Sequence, residues 1–371
     1  MFKRLLFLLF LFPLTGFAQY NITGKLLNSN DKTAVPNASV FLNNAMAGSK
    51  SGEKGDFTIT NVRAGQYDLV VTCVGYETLY QHIVVNADLA LGEIKLSPKV
   101  MELKEVRIHP KGNWSKKYAM FKEYFFGNSE FSRQCKIVNK NIEDMLDLEY
   151  YDGVFKAHSD DFLEIENKAL GYRIRYQLQQ LESNQYTRSC YYEGIAAFEE
   201  MEGSEGDKRK WKKNRLKAYQ GSSMHFLRSV ISNTFTGEGF KALRIIKRDK
   251  SAKGMPMGGG AQSLVSTPLT VNDFVKLTDV PGEYALSFED YLYILYYKRK
   301  PNLSDKDKKK LQEDPDALGP PLSTTAVFNE KYVFFDSNGI IINPLSISFG
   351  GNWGVRLMAE LLPVDYVPEI R

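Results

Sequence analysis

The chain has 371 residues, with 48 Lys+Arg against 44 Asp+Glu and a formal net charge of +4. So even a balance excludes a dedicated nucleic-acid binder, and the length exceeds what one apolar core usually serves, so two domains are expected. Three cysteines, Cys73, Cys135 and Cys190, are too few and too scattered for a disulfide-built fold or a zinc site.

Residues 1–18 begin with Lys3 and Arg4, continue as an apolar run over 5–14, and end with the small residues Gly16 and Ala18. That layout reads as a secretory signal peptide cut after Ala18, because the apolar run is too short to span a bilayer. Cleavage removes two positive charges and lowers the net charge from +4 to +2. The expected location is the periplasm or the periplasmic face of an outer membrane, or the medium. After cleavage the chain is not expected to be an integral membrane protein.

From 20 to 97 short runs alternate between apolar and polar residues. Ala38, Val40 and Leu42 form one such set, followed by Phe57 and Ile59, then Tyr67, Leu69, Val71 and Cys73, then Ile83 and Val85. A period of two with one apolar face marks half-buried strands. Turn residues separate the runs: Pro36-Asn37, Gly52 to Gly55, Ala64-Gly65 and Gly75. The pattern predicts an antiparallel sandwich or barrel, with Cys73 as a small core residue.

Five ordered motifs sharpen this reading: Ile22-x-Gly24, Pro36-x-Ala38-x-Val40, Gly55-x-Phe57, Gly65-x-Tyr67-x-Leu69 and Val74-Gly75-Tyr76-Glu77. Together they resemble the carboxypeptidase-like regulatory domain. Gly52 stands where that family usually carries Asp. The resemblance implies a prealbumin-like Greek-key sandwich without catalytic residues, which elsewhere accompanies zinc carboxypeptidases or outer-membrane receptors. The segment Leu103 to Ile108, LKEVRI, resembles the lead into a receptor plug. The remaining residues are too few for a plug and a large barrel.

Residues 98–112 read as a linker, and 113–371 as an α+β domain, mostly antiparallel sheet with two main helices. In the first helix, Asn113 is placed as a cap and Trp114, Tyr118, Phe121 and Phe125 form one apolar stripe, ended by Gly127. Strands are expected over 135–138, 146–151, 155–158, 162–165 and 172–181, and later over 284–288, 291–297, 331–335, 340–342 and 345–349, with Asn338-Gly339 as a hairpin turn. A second, long helix is expected over 208–232, loops over 255–260 and 300–321, and a short helix near 355–362. This part resembles only uncharacterised companions of the regulatory module, through echoes such as Leu170-Gly171-Tyr172, and that resemblance carries no known activity.

Chemistry-bearing patterns are sparse. The histidines are His82, His109, His158 and His225, and a His-x-x-Asp at His158 and Asp161 is the nearest approach to a metal motif. Nucleophile elbow, phosphate loop and dinucleotide fingerprint are missing from the sequence. The expectation is therefore a non-catalytic protein with no cofactor, no metal and no catalytic residue. The other hypothesis is an envelope hydrolase or ligand-processing enzyme with its site in 113–371, to be recognised by a concave pocket with convergent titratable groups. Cys135 and Cys190 are expected in one domain, with a bond between them left open.

One binding patch is suggested by the long helix. At ~100° per residue, Asn214, Ala218, Gly221, His225 and Arg228 share a face, with Trp211 and the basic run Lys212, Lys213, Arg215 and Lys217 beside it. The candidate residues are Arg215, His225, Arg228, Asn214 and Trp211, expected to border one open cleft. The partner would be an envelope protein, a glycan or an anionic lipid surface, not a nucleic acid. The bland alternative is that these groups pack internally and the lysines are solvated.

Overall fold

The computed structural model describes residues 19–99, 111–186, 189–246, 263–297, 309 and 321–369. The expected signal peptide, most of the linker, the LKEVRI segment, the 255–260 loop and nearly all of the 300–321 loop lie outside the described residues. Among the described residues no helix is long and apolar enough to cross a membrane.

The N-terminal module is a two-layer sandwich. Its strands are β1 (Gln19–Asn28), β2 (Ser39–Leu42), β3 (Gly48–Lys50), β4 (Asp56–Arg63), β5 (Gly65–Thr72), β6 (Leu79–Val85) and β7 (Leu89–Leu96). They form sheets of order β4-β1-β7 and β3-β2-β5-β6. The alternating sets meet between the sheets: Val40, Leu42, Ile59, Leu69 and Val71 are fully buried there, and Cys73 packs against them. One expectation needs correcting, because β7 runs parallel to β1, with Ile22 opposite Leu89, so the sandwich is not purely antiparallel.

The second part is α+β and has two cores. Helix α1 (Lys111–Phe126) begins two residues before the expected cap Asn113 and ends at Gly127, whose φ is +78°. Its aromatic stripe is core: Trp114, Tyr118, Phe121 and Phe125 stack in sequence, and Phe125 meets Tyr176. The stripe covers a sheet built from β8 (Cys135–Ile137), β9 (Leu146–Tyr151), β10 (Val154–Ser159), β11 (Leu163–Asn167), β12 (Tyr172–Asn184) and β13 (Ser189–Glu200), with the short helix α2 (Ile142–Met145) preceding β9. β12 is the spine. β11 and β10 pair with its two ends on one side, and β13 pairs along its other side.

The expected long helix is two helices, α3 (Glu205–Tyr219) and α4 (Ser223–Ile231). The break lies at Gly221, at φ +72°, and Ser222 caps α4 by accepting from the His225 N–H. A Cβ at Gly221 would lie 2.5 Å from the Tyr296 ring, so only glycine fits. α4 lies in the second core with β14 (Phe240–Ile246), β15 (Ser263–Val265), α5 (Val271–Phe274), β16 (Val275–Leu277), β17 (Glu283–Leu286), β18 (Tyr291–Tyr296), β19 (Leu322–Phe328), β20 (Val333–Asp336) and β21 (Ile347–Gly351). These form sheets of order β15-β14-β18-β19-β21 and β16-β17-β20. Residues 340–342 make one bridge, Phe335 to Ile341, rather than a strand. The expected C-terminal helix is instead a pair of single 3₁₀ turns, Trp353–Val355 and Met358–Glu360.

The sandwich docks on the second part. Phe41 and Val70, on the outer face of its four-stranded sheet, are buried against Phe162 and Ile195. The turn after β2 joins the β13 backbone: the Asn44 N–H donates to Ala196 O, the Phe198 N–H donates to Ala45 O, and Asn43 Oδ1 accepts from the Ala196 N–H. Near the C-terminus, Val364 enters the sandwich core and its N–H donates to Asn44 O.

The three cysteines are free thiols. Cys135 lies opposite Asn167, which lies opposite Tyr172, whereas Cys190 lies opposite Ser183. Eleven residue steps of β12 therefore separate them, ~36 Å at about 3.3 Å per residue, far beyond disulfide reach. Thiol titration of the denatured protein should count three thiols, and a count of one would contradict this register. A second expectation concerns autonomy. The sandwich has its own core, so a fragment of residues 19–99 should melt cooperatively, at a lower temperature than in the full chain because Phe41 and Val70 lose their cover. A trace without a cooperative transition would show that the module needs the rest of the chain.

Candidate functional site

The five residues of the sequence-derived patch do not border one open cleft. Trp211 Nε1 donates to Lys168 O at 3.0 Å, Asn214 Nδ2 to Ala169 O at 2.7 Å, and Arg215 Nε to Leu170 O at 2.7 Å. All three grip the turn between β11 and β12. At Gly171, with φ +72°, a Cβ would sit 2.1 Å from the Trp211 indole. Arg215 also pairs with Glu200 and lies 4.0 Å over the Tyr172 ring. The basic run is partly paired as well, Lys212 with Glu369 and Lys217 with Glu130.

His225 and Arg228 lie on α4, past the break, so the shared face drawn on one continuous helix does not exist. His225 is buried between Tyr219, Phe240 and Tyr296. Its Nδ1 lies 3.1 Å from the Gly221 N–H, so Nδ1 accepts and Nε2 donates to Glu238 Oε2 at 2.6 Å. That hydrogen bond, above all, holds the Glu238 carboxyl below its ordinary value, against the opposing effect of burial. Arg228 donates to Asn338 O at 2.8 Å and to Tyr366 O and Val364 O at 2.7 Å each. Arg356 closes the same joint through Ala218 O and Gln220 O, and Trp353 Nε1 donates to Gly221 O at 2.7 Å. These groups satisfy backbone carbonyls at helix ends and turns.

A crevice of about 500 Å³ lies where the sandwich meets the second part. From the sandwich, Asn43, Gln66, Asp68 and His82 line it; from β12 and β13 come Gln179 and Glu193. Strand alternation explains the first wall: in β5, Tyr67, Leu69 and Val71 face the core, so Gln66 and Asp68 face out, with His82 across from Asp68 on β6. His82 Nδ1 lies 3.1 Å from Asp68 Oδ1 at this exposed position. Ile340, Tyr67 and Asp336 also border it, with the buried core residues Leu362 and Val364 behind.

Burial shifts two of these groups, Tyr67 and Asp336, and also the nearby Asp365. Burial pushes the Tyr67 phenol up to about 12, and its hydroxyl makes no hydrogen bond of normal geometry, the Asn338 amide being the polar group beside it. Asp336 accepts from the Asn338 and Ile340 N–H groups, yet burial still raises its carboxyl. Asp365 accepts from the Met46 N–H and is likewise raised by burial. Among the described residues there is no cluster of three or more His, Cys, Asp or Glu able to hold a metal ion. His158 faces Asp147 and Asp160 at 4.0 and 3.9 Å, while Asp161 accepts from the Phe162 N–H.

Residues 22–108 match the family model described as the CarboxypepD_reg-like domain. The N-terminal module is a carboxypeptidase regulatory-like domain. No curated protein matches the chain. Among solved structures, a chain of a type II Cohesin-X-Dockerin complex from Acetivibrio cellulolyticus is similar at 21% identity over 20% of this chain and 52% of that one, with a TM-score of 0.19. A DUF3823 family protein from Bacteroides ovatus is similar at 11% identity over 50% and 83%, with a TM-score of 0.18. A "putative carbohydrate binding protein" from Bacteroides uniformis is similar at 8% identity over 85% and 98%, also with a TM-score of 0.18. This chain thus spans about half the length of the first of these, and likenesses with TM-scores this low carry no argument about function.

The raised Asp365 carboxyl gives a signed prediction. Its folded-state pKa lies above the ordinary 3.8, so the folded chain holds this proton more tightly than the unfolded one. The associated stability is present below the unfolded value and is lost as pH rises through the folded one. Asp365→Asn keeps an oxygen to accept from Met46 and has nothing to ionise. Its melting temperature should exceed that of the wild type at pH 7 and converge with it near pH 4. A variant less stable than the wild type at pH 7 would show instead that the charge on Asp365 holds the joint.

Proposed function

We propose that this chain is an exported, non-catalytic cell-envelope protein, held in the periplasm or at the periplasmic face of an outer membrane, that binds a component of the envelope. The observation that carries this reading is the crevice, whose walls come from the regulatory-like domain on one side and the second part on the other. A site shared by two modules suits recognition, because neither wall is complete alone. The basic start and apolar run of residues 1–18 support export.

The acids that reach the crevice from the second part have structural partners, which favours binding over hydrolysis. Glu360 pairs with Arg356, Asp336 holds the turn at Asn338, and Glu193 receives the Tyr191 hydroxyl. General acid–base work needs such groups turned toward a substrate instead.

The test is capture from detergent-treated envelope extract with the mature chain as bait. Gln66→Arg with Gln179→Arg places two long side chains in the crevice from outward-facing positions, so the melting temperature should not change. The wild type should retain an envelope component, identified by mass spectrometry and sugar analysis, and the double variant should lose it. Equal retention by both proteins would remove the crevice from consideration.

A further inference from the structure

We propose that the outward face of α3 rests on an anionic phospholipid surface and holds the chain there by charge. This is a second site and does not depend on the crevice. Three observations carry it.

The first is how α3 divides its residues. Trp211, Asn214 and Arg215 turn to the body of the second part and grip the turn after β11, and Ala218 is buried beside them. The other side carries Lys208, Arg209, Lys210, Lys212, Lys213 and Lys217, all exposed. The acids of the helix are Glu205 and Asp207, and the Asp207 carboxylate is held by Ser204 in the capping box. The exposed face is therefore basic over roughly three turns.

The second is which of these cations remain uncommitted. Lys208 pairs with Glu205, Lys212 with Glu369 and Lys217 with Glu130. Among the described residues Arg209, Lys210 and Lys213 form no ion pair, and Lys210 Nζ reaches the Gln134 side-chain amide oxygen instead, at 3.4 Å. Arg209 and Lys213 stand four residues apart, so both point from the same side of the helix, with Lys210 beside them. The pairs that do form lie at exposed positions, where a carboxylate holds a lysine only weakly and a phosphate can compete for it.

The third is that the fold does not ask for this pattern. Lys208 and Lys212, Arg209 and Lys213, and Lys213 and Lys217 are like charges four residues apart, which weakens a helix. Solubility is served as well by interspersed signs. An opposite charge laid along the face would turn this repulsion into attraction. A convex helix face cannot enclose a small anion, whereas a bilayer presents many phosphates in one plane and needs no matching shape. The exposed residues of α3 include no apolar side chain, so the contact is electrostatic and weakens as salt is added.

The experiment is co-sedimentation of the mature chain with vesicles of phosphatidylcholine alone and of phosphatidylcholine and phosphatidylglycerol in equal parts, with polyglutamate as a soluble polyanion in a parallel titration. The chain should sediment with the phosphatidylglycerol vesicles, stay in solution with phosphatidylcholine, and be released by sodium chloride. The triple variant Arg209→Gln, Lys210→Gln and Lys213→Gln should bind the anionic vesicles at least about tenfold more weakly. Its melting temperature should be unchanged or higher, because glutamine keeps the helix propensity and the like-charge contacts are gone. A second triple variant, Lys32→Gln, Lys54→Gln and Lys95→Gln, removes the same charge from exposed positions on the sandwich and should bind as the wild type does. No binding to the anionic vesicles, equal binding by the α3 variant, or an equal loss in the sandwich variant overturns the inference, the last by reducing the effect to net charge. Binding of polyglutamate in place of the vesicles overturns it as well, and makes the face a docking surface for an acidic protein.

Discussion

The guanidinium of Arg228 fixes how the parts of this molecule sit together. It donates to three carbonyls that no strand or helix satisfies: Asn338 O in the turn after β20, and Val364 O and Tyr366 O in the C-terminal segment. A hydrogen bond from a charged donor contributes about 1.5–3 kcal/mol, and a buried carbonyl stripped of its donor costs about 1–3 kcal/mol. The C-terminal segment is thereby held on α4. From there Val364 enters the sandwich core, and Asp365 accepts from the Met46 N–H. One side chain on a short helix thus connects the second core to the regulatory-like domain through the three residues Val364 to Tyr366.

The same device recurs at α3. Trp211, Asn214 and Arg215 serve the Lys168–Gly171 turn, and Arg356 serves the carbonyls at the end of α3. Arginine suits this work because its planar fork presents several donors and stays charged when buried. The residues that look like a binding patch on a helical wheel therefore act inside the fold. Leu170-Gly171-Tyr172 and the α3 residues Asn214 and Arg215 are thus two halves of one joint.

How much of this the sequence displays depends on whether local pattern or distant contact decides the outcome. The sandwich strands and the α1 stripe follow from alternation and from the helical repeat, because each has one apolar face and one core to meet. The β13 strand escapes such reading. Its sequence, SCYYEGIAAFEE, mixes Gly and Glu, and its last two acids, Glu199 and Glu200, lie opposite Arg173 and beside Arg215. The break at Gly221 is equally non-local, since a lone glycine is tolerated within helices. What forbids a continuous helix is Tyr296 against Gly221 together with the Trp353 indole on the Gly221 carbonyl. For the crevice, alternation shows that Gln66 and Asp68 face away from the sandwich core, but the surface they meet comes from β12 and β13, more than a hundred residues later.

The docking of the sandwich explains why a crevice exists there at all. The outer face of its four-stranded sheet meets Phe162 and Ile195 through Phe41 and Val70, while Tyr80 and Val84 on β6 stay exposed. Farther along the same face the residues become Gln66, Asp68 and His82, which gain nothing from being desolvated without partners. Along that polar row the two surfaces remain apart. The strands β5, β6, β12 and β13 contribute to the two walls, and the clamp through Val364 and Asp365 holds the sandwich from another side. The strand portions of the proposed site are held by sheet hydrogen bonds, which lowers the ordering cost of binding relative to a flexible loop.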